Sequence, residues 1–533
     1  MRPSNTAGPW LPLLLGCTLW AQDAPKTGAA PTLPELGPAS ALPEGAPPLL
    51  DRIDRGDLRT HAYWLADDAR AGRYTSSTGQ QATADYIAAH FARLGLSPLG
   101  DKKGFVQNYP LERVYLDKST ALTIGGKKLN TDFAVLHSSD KDKVNLSGRF
   151  VWCGNGAPDQ VQGGLSRKIP LVVFSKPRAR DGDEGAGRQG PGNDLQAVGR
   201  YVKVAQQLAN KGADAGVVCL LDDQGSFGNT LNYRGLLPDH AQLRYGSGGR
   251  DLGMRIPLLI LSAAQSRLLL EHVGVELDED GAPKTAITNE KATGKLTIVV
   301  KADDKAKACN VVAYLPGTNK KSEAVVFSAH HDHVGRRLDG DVFNGADDNA
   351  SGTSGLLEIA EAFAKSDERP ARSVIFLSVS GEELGLWGSH WFSENPTWPL
   401  EKIVADINID MIGRAVTDAD KVGSGKIGMQ ITPSQDHEKF STLVQNGVAI
   451  GAKFGITFSS GDQYYQRSDH YNFARLGVPV VFFCDGEHPD YHKVTDSPDK
   501  LDYVSMEAIA RTACWTGWDA ANDKDRPREL GKQ

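Results

Sequence analysis

Five short motifs in the second half of the chain are rich in side chains that bind metal ions. In chain order they are His330-His331-Asp332, Gly345-Ala346-Asp347-Asp348-Asn349, Gly381-Glu382-Glu383, Asp410-Met411 and Tyr491-His492. Imidazole nitrogen and carboxylate oxygen are donors that zinc accepts, about four per ion. Two zinc ions about 3.5–4 Å apart can share one carboxylate and one water molecule. The motifs therefore predict a pair of bridged zinc ions.

One set of five side chains fills such a site with a single bridging carboxylate. The set consists of His330, Asp347, Glu383, Asp410 and His492. Five protein ligands leave coordination positions open on the two ions, which indicates a catalytic rather than a structural site. The alternative is that these are ordinary surface acids and histidines. We disfavour it because the acids follow apolar runs directly, where an unpaired carboxylate is costly.

Apolar, strand-like runs precede four of the five motifs. These runs end at Ala329, Ser378, Ile409 and Phe483, and the remaining motif lies just before a helix-like segment at 354–365. Near-continuous apolar strands that alternate with helices predict an α/β fold, a three-layer sandwich with a mixed, mostly parallel central sheet. Ligands of such folds bind beyond the carboxyl ends of the strands. We therefore expect the motifs to meet at one edge of the sheet.

Amino-acid composition and the pattern of apolar runs divide the chain into five segments. We predict a signal peptide at 1–21, an Ala/Pro-rich linker at 22–50 and the first part of the α/β domain at 51–139. An inserted, β-rich module follows at 140–285, and the second part of the α/β domain, with all five motifs, occupies 286–533.

The first residues predict export. Arg2 precedes an apolar stretch from Trp10 to Ala21, which is too short to span a bilayer and suits a signal peptide cleaved after Ala21. Leu14-Leu15-Gly16-Cys17 also resembles a lipobox, which would leave a lipid anchor at Cys17. A periplasmic or extracellular protein is therefore expected, with a membrane-anchored lipoprotein as the alternative. The chain has no apolar run of about 18 residues, so no transmembrane helix is expected.

Charge and cysteine content exclude other classes of protein. The net charge of -7 and the pI near 6.0 give no reason to expect nucleic-acid binding. Five further cysteines are far apart and lack CxxC spacing, so they form neither a cysteine zinc site nor a disulfide scaffold. We expect most of them to be buried thiols, and a single disulfide remains open.

The motif series resembles the M28 family of zinc metallopeptidases, in its aminopeptidase branch. The module at 140–285 resembles a protease-associated (PA) domain, which some members of the family carry. The resemblance implies two Zn²⁺ ions, peptide or protein substrates, and hydrolysis of N-terminal peptide bonds. The segments that carry it are 328–335, 344–352, 380–389, 408–414, 467–473 and 490–499.

The resemblance also implies how the ligands are shared between the ions. His330 and Asp410 would hold one zinc ion, and Glu383 and His492 would hold the other. Asp347 would bridge the two ions.

Further roles follow from the same resemblance. Glu382 matches the general base, Asp332 the carboxylate that orients the first histidine ligand, and Tyr465 a tyrosine that polarises the substrate carbonyl. The Asp347-Asp348 bond is expected to be cis. The other histidines near the motifs are expected not to be ligands: His331, His333 and His488.

Two other kinds of function stay open at this point. The same fold could act as a carboxypeptidase or a glutaminyl cyclase, or it could be a non-catalytic PA/peptidase-like binding protein. A carboxypeptidase needs a basic group to hold the substrate carboxylate, and the sequence alone does not place Arg467 or Arg336-Arg337 at the site. The intact ligands and an intact Glu382 argue against a non-catalytic protein.

Overall fold

Helices and strands alternate through the second half of the chain, as its apolar pattern predicts. The computed structural model describes residues 35–137, 141–174, 191–221, 235–238, 241–246, 254–279, 282–336, 340–415 and 427–533. Residues 36–533 form the unit considered below. Its helices are α1 Arg55–Leu65, α2 Thr78–Arg93, α3 Pro191–Asn210, α4 Ala263–Val273, α5 Gly352–Ala364, α6 Trp387–Glu394, α7 Thr442–Lys453, α8 His470–Ala474 and α9 Tyr503–Asn522. Its strands are β1 Ser97–Pro98, β2 Val106–Leu116, β3 Ala121–Ile124, β4 Lys127–Leu129, β5 Phe133–Leu136, β6 Lys143–Trp152, β7 Ile169–Phe174, β8 Gly216–Leu220, β9 Gln242–Arg244, β10 Leu258–Leu261, β11 Thr293–Leu315, β12 Lys320–His330, β13 Arg372–Val379, β14 Ile403–Ile409, β15 Ile427–Thr432, β16 Ile456–Ser460 and β17 Val480–Cys484.

Four parallel strands, in the order β13, β12, β14 and β17, form the centre of the main sheet. Strand β11 joins one side antiparallel to β13, and β15 joins the other side antiparallel to β17, with β16 parallel to β15 beyond it. Every residue of β13, β14 and β17 is buried, because both faces of these strands are covered by helices. The mixed, mostly parallel sheet of the predicted fold is confirmed.

Helices cover the main sheet on its two faces. One face packs against α1, α2, α5, α7 and α9 in a single large apolar cluster. The other face packs against α6 and α8 in a second cluster that contains Phe392 and Phe473. Helices therefore close both faces of the central strands, as in a three-layer sandwich.

A β-rich region precedes the main sheet and is connected to it by one long strand. Strands β3 and β6 pair with the first part of β11, and β4 pairs with β3. Strands β5, β7, β8 and β10 extend from β6 in a further sheet. The apolar core of this region includes Val114 and Val300, which lie on either side of the predicted module at 140–285. The module's boundaries and its PA-like character remain a prediction.

The described part of the chain contains five cysteines, and all five are free, buried thiols: Cys153, Cys219, Cys309, Cys484 and Cys514. The expectation of buried thiols is thereby met. Among the described residues, no helix combines the length and apolar character needed to cross a bilayer. The predicted signal peptide and Cys17 lie outside the described residues.

Candidate metal centre

The five motifs meet beyond the carboxyl ends of the four parallel strands. Strand β12 ends at His330, and β14 ends immediately before Asp410. Strand β13 ends two residues before the 381–383 motif, and β17 leads into the loop that contains His492. Each strand therefore delivers its side chain to the same edge of the sheet, as parallel α/β folds do.

The first donor group surrounds the His330 imidazole. His330, Glu382 and Asp410 offer donor atoms that all lie within 4.8 Å of one another. His330 Nε2 is 3.1 Å from Asp410 Oδ1 and 3.3 Å from Asp348 Oδ1. The other ring nitrogen, Nδ1, is 3.2 Å from the Asp332 carbonyl oxygen and 3.7 Å from its carboxylate. Asp332 thus lies where a carboxylate that orients a metal-binding imidazole is commonly found.

The second donor group consists of His333, Asp348, Glu383 and His492, again within 4.8 Å of one another. His492 Nε2 is 2.8 Å from Asp348 Oδ2 and 3.0 Å from Glu383 Oε2. Asp348 therefore faces His330 with one carboxylate oxygen and His492 with the other. This position between the two groups is the one a bridging ligand requires.

The prediction that Asp347 is the bridging ligand is wrong. Its Oδ1 accepts a hydrogen bond from the Gly413 amide at 2.7 Å, and its Oδ2 is 3.2 Å from His488 Nε2. Backbone geometry in the helical turn at 346–351 directs the two adjacent aspartates to different sides, and Asp348 occupies the shared position. The cis bond is also one residue later than expected, between Asp348 and Asn349.

The charge and hydrogen bonding of the cluster fit a bound cation. Nε2 of His492 and Nε2 of His333 are buried without a hydrogen bond, although His492 lies close to two carboxylates. Burial raises the pKa of Glu382 well above its ordinary value, Asp410 and Glu383 raise it further, and His330 opposes them. Burial alone would lower the pKa of His492, but Glu383 and Asp348 raise it well above its ordinary value. Excess negative charge beside unpaired ring nitrogens is what zinc would neutralise.

Hydroxyl and amide groups hold the carboxylates in place. Thr75 Oγ1 donates to Asp332 Oδ2 at 2.8 Å. Ser468 Oγ donates to Asp410 Oδ2 at 2.8 Å and accepts a hydrogen bond from Asn408 Nδ2 at 2.9 Å. No role was predicted for Thr75 or Ser468 from the sequence. Ser468 lies in segment 467–473, which carries part of the family resemblance, and this position could have indicated a role at the site.

Arg73 ties the N-terminal region to the metal centre. Its buried guanidinium donates to the carbonyl oxygens of His331, Asn344 and Gly345 at 3.0, 2.6 and 2.8 Å. Burial lowers the pKa of Arg73 to about 10, while Asp348 and other carboxylates oppose this shift. Arg73 thus fixes two loops that carry donor residues and adds positive charge behind the centre.

A pocket opens beside the first donor group. Tyr464 lines it, whereas Tyr465 does not. The Tyr465 ring instead packs against His437, with centroids 4.1 Å apart, and against His470. The prediction that Tyr465 faces the substrate is therefore not met. The pocket is lined by Asp348, Glu382, Asp410, Met411, Tyr464, Arg467, Phe482, Cys484, Gly486, Glu487 and Tyr491.

The three remaining histidines have different positions. His331 contacts Ser378 Oγ at 2.9 Å and Gln80 Nε2 at 2.8 Å, outside both donor groups. His488 faces Asp347 and is also outside them. His333 belongs to the second donor group, contrary to the expectation that it is not a ligand.

Comparisons with known proteins give a family match and several relatives for this part of the chain. Residues 310–516 match Peptidase family M28. A probable zinc metalloprotease of Pyrenophora tritici-repentis is 25% identical over 263 residues, which span 42% of this chain and 53% of the relative. A probable glutamate carboxypeptidase AMP1 of Arabidopsis thaliana is 29% identical over 284 residues, 49% of this chain and 38% of the relative. The chain thus spans about half or less of the length of these relatives.

A solved structure shows the same fold. BSAP, a zinc aminopeptidase from Bacillus subtilis, superposes with a TM-score of 0.57 at 17% identity, over 90% of this chain and 98% of that one. An α/β sandwich with buried imidazole and carboxylate donors beyond the ends of its parallel strands fits a metal-dependent enzyme. The match to Peptidase family M28 covers residues 310–516, the part of the chain that contains all five motifs.

Proposed function

We propose that the chain is an aminopeptidase that uses two zinc ions and Glu382 as its general base. The observation that carries this proposal is the placement of Asp348 between two donor groups, with Glu382 beside the first of them. His330, Asp348 and Asp410 would hold one ion, and Asp348, Glu383 and His492 the other. When bound, the ions would supply a water of lowered pKa and stabilise the oxyanion.

Glu382 is the group that would move the proton. Its carboxylate accepts a proton from the attacking water and returns it to the nitrogen of the leaving amine. The raised pKa of Glu382 suits this exchange, because an ordinary carboxylate holds a proton too weakly near neutral pH. Asp332 orients His330, and Ser468 orients Asp410.

The charge of the pocket favours substrates with a free N-terminal amine. Its lining contains Asp348, Glu382, Asp410 and Glu487 but only one basic residue, Arg467. Arg467 Nη1 already pairs with Glu487 Oε1 at 2.8 Å. Among the lining residues that are not proposed zinc ligands, Glu382 and Glu487 outnumber Arg467, which favours an ammonium group over a carboxylate.

A carboxypeptidase is the second candidate, and one observation favours it. Arg467 lines the pocket, which the sequence alone could not show, and an arginine there could hold a substrate carboxylate as a bidentate pair. The Arabidopsis relative is named as a probable glutamate carboxypeptidase. In this chain, the ion pair between Arg467 and Glu487 has to break before Arg467 can bind a substrate carboxylate in this way.

A substrate panel separates the two candidates. We expect the protein to release p-nitroaniline from aminoacyl-p-nitroanilides with a free amine but not from their N-acetylated forms. A chelator should abolish this activity. Glu487→Gln should raise KM for the free-amine substrates more than Arg467→Gln does. Cleavage confined to blocked peptides with a C-terminal glutamate, abolished by Arg467→Gln, would instead establish the carboxypeptidase.

We also propose that the protein is exported, as the signal-like sequence at 1–21 suggests. Expression of the full chain, followed by fractionation and mass measurement of the N-terminus, tests this. Cleavage after Ala21 supports a secreted form, a lipid-modified Cys17 supports an anchored form, and an intact cytosolic N-terminus contradicts both.

A further inference from the structure

His333 is a fully buried imidazole directed at the second donor group. Its side chain is 0% exposed, and Nδ1 lies 2.7 Å from Glu383 Oε1 and 3.9 Å from Asp348 Oδ2. The ring meets that of His492 at 76°, with centroids 5.5 Å apart. These separations suit four donors around one ion, because zinc bonds of about 2.0–2.2 Å place tetrahedral donors roughly 3.3 Å apart.

The backbone around His333 leaves room for the ring. Gly345 has φ +56°, and a Cβ at this position would lie 2.4 Å from His333 Cδ2. The His333 amide donates to the Arg73 carbonyl at 3.3 Å, and Arg73 in turn holds the Gly345 carbonyl. A side chain at Gly345 would therefore displace the imidazole from the donor group, so the loops are built around it.

The hydrogen bonding of the second donor group leaves a position for an ion. Nε2 of His492 faces Asp348 and Glu383 but is buried without a hydrogen-bond partner, and Nδ1 of His333 faces the same two carboxylates. Two imidazoles and two carboxylates thus converge without enough hydrogen bonds to satisfy their buried polar atoms. Unsatisfied buried polar groups of this kind call for a partner.

We propose that His333 is an additional zinc ligand, which completes a four-donor position with Asp348, Glu383 and His492. This inference rests on the proposed function, since it assumes that the centre binds zinc. The other position keeps three protein donors, His330, Asp348 and Asp410.

The two positions are then unequal. Four protein donors close a tetrahedral zinc site, whereas three leave a place for water. Glu382 groups with His330 and Asp410, beside the open position, which is where a general base is needed. The closed position should therefore bind the first equivalent of zinc more tightly, and the open position should exchange its ion more readily.

Variants of His333 test the proposal through metal binding. The chelator-stripped chain is titrated with zinc against a competing chromophoric chelator, as wild type, His333→Ala and His333→Asn. Asn places an amide N–H near the position of Nδ1, so it can keep the hydrogen bond to Glu383 but not act as an imidazole ligand. His331→Asn is the matched control, because His331 is a buried imidazole outside the donor groups.

We expect both His333 variants to weaken the affinity for the more tightly bound zinc ion by about tenfold or more. His331→Asn should keep that affinity within about threefold of the wild-type value. Wild-type affinity in His333→Asn would overturn the proposal, since hydrogen bonding alone would then explain the residue. Absence of zinc binding in the wild type would instead refute the proposed function. X-ray absorption of the wild type with one equivalent of zinc needs no variant: two imidazoles on the ion support the proposal, and one overturns it.

Discussion

Glu382 and Asp348 are the residues on which the chemistry depends, and each stands beside a similar acid. Glu382 lines the pocket and groups with His330 and Asp410, whereas Glu383 turns toward His333 and His492. The resemblance predicted different roles for the two glutamates, and the structure places them in different donor groups. The resemblance did not predict which of the two aspartates faces both groups, because the turn at 346–351 determines this and no periodic pattern in the sequence predicts that turn.

Replacement of the base should separate catalysis from metal binding. Glu382→Gln keeps the shape of the side chain but replaces the basic carboxylate with an amide, which does not accept a proton near neutral pH. We therefore expect kcat to fall about 10²–10⁴-fold. Zinc content should stay at the wild-type level. Glu394→Gln, an exposed acid that pairs with His390, is the control and should retain activity. Turnover near the wild-type level in Glu382→Gln would mean that another group is the base.

At the scale of elements, close packing of α9 on β12 holds the first ligand strand in place. Gly517 in α9 lies against the Phe327 ring in β12, so near that a Cβ would be 2.1 Å from Cζ. Phe327 is itself fully buried and packs against Phe363 and Phe376. The apolar runs predicted both elements, but this contact depends on their relative position, which sequence periodicity does not define.

This packing predicts that Gly517→Ala is destabilising although Ala favours helices. Because the phenyl ring has no free space to move into, we expect a loss of roughly 1–3 kcal/mol in the free energy of unfolding. Urea unfolding of the variant measures it. Gly164→Ala is the control, because a Cβ there meets no atom within 4 Å. Equal unfolding midpoints for Gly517→Ala and the wild type would show that the core yields more readily than the packing indicates.

For the whole molecule, the sequence predicted the sandwich and the edge at which its site lies, because strand burial and motif position are local properties. It did not predict that β11, with 23 residues, serves both the β-rich region and the main sheet. A strand that changes partners midway has no signature in its own residues, since the pairing depends on strands far away in the chain.

Folding stability should decrease as the pH falls from about 6.5 toward 4. Burial, together with His61 and Arg93, lowers the pKa of His90 from 6.5 to about 4. Within that window the unfolded chain binds the proton and the folded chain does not, so acid favours unfolding, by on the order of 2 kcal/mol. In metal-free protein, His90→Gln should therefore lose less stability than the wild type between about pH 7 and 5. His390→Gln is the control, and a His90→Gln profile parallel to the wild type would contradict this origin.

The zinc content of the full chain tests the central claim most directly. We expect two zinc ions per wild-type chain by elemental analysis after dialysis, because two donor groups share Asp348. Asp348→Asn should reduce binding at both positions, whereas Asp347→Asn, one residue away and outside the donor groups, should retain two ions. Two ions in Asp348→Asn together with loss of zinc in Asp347→Asn would contradict the account.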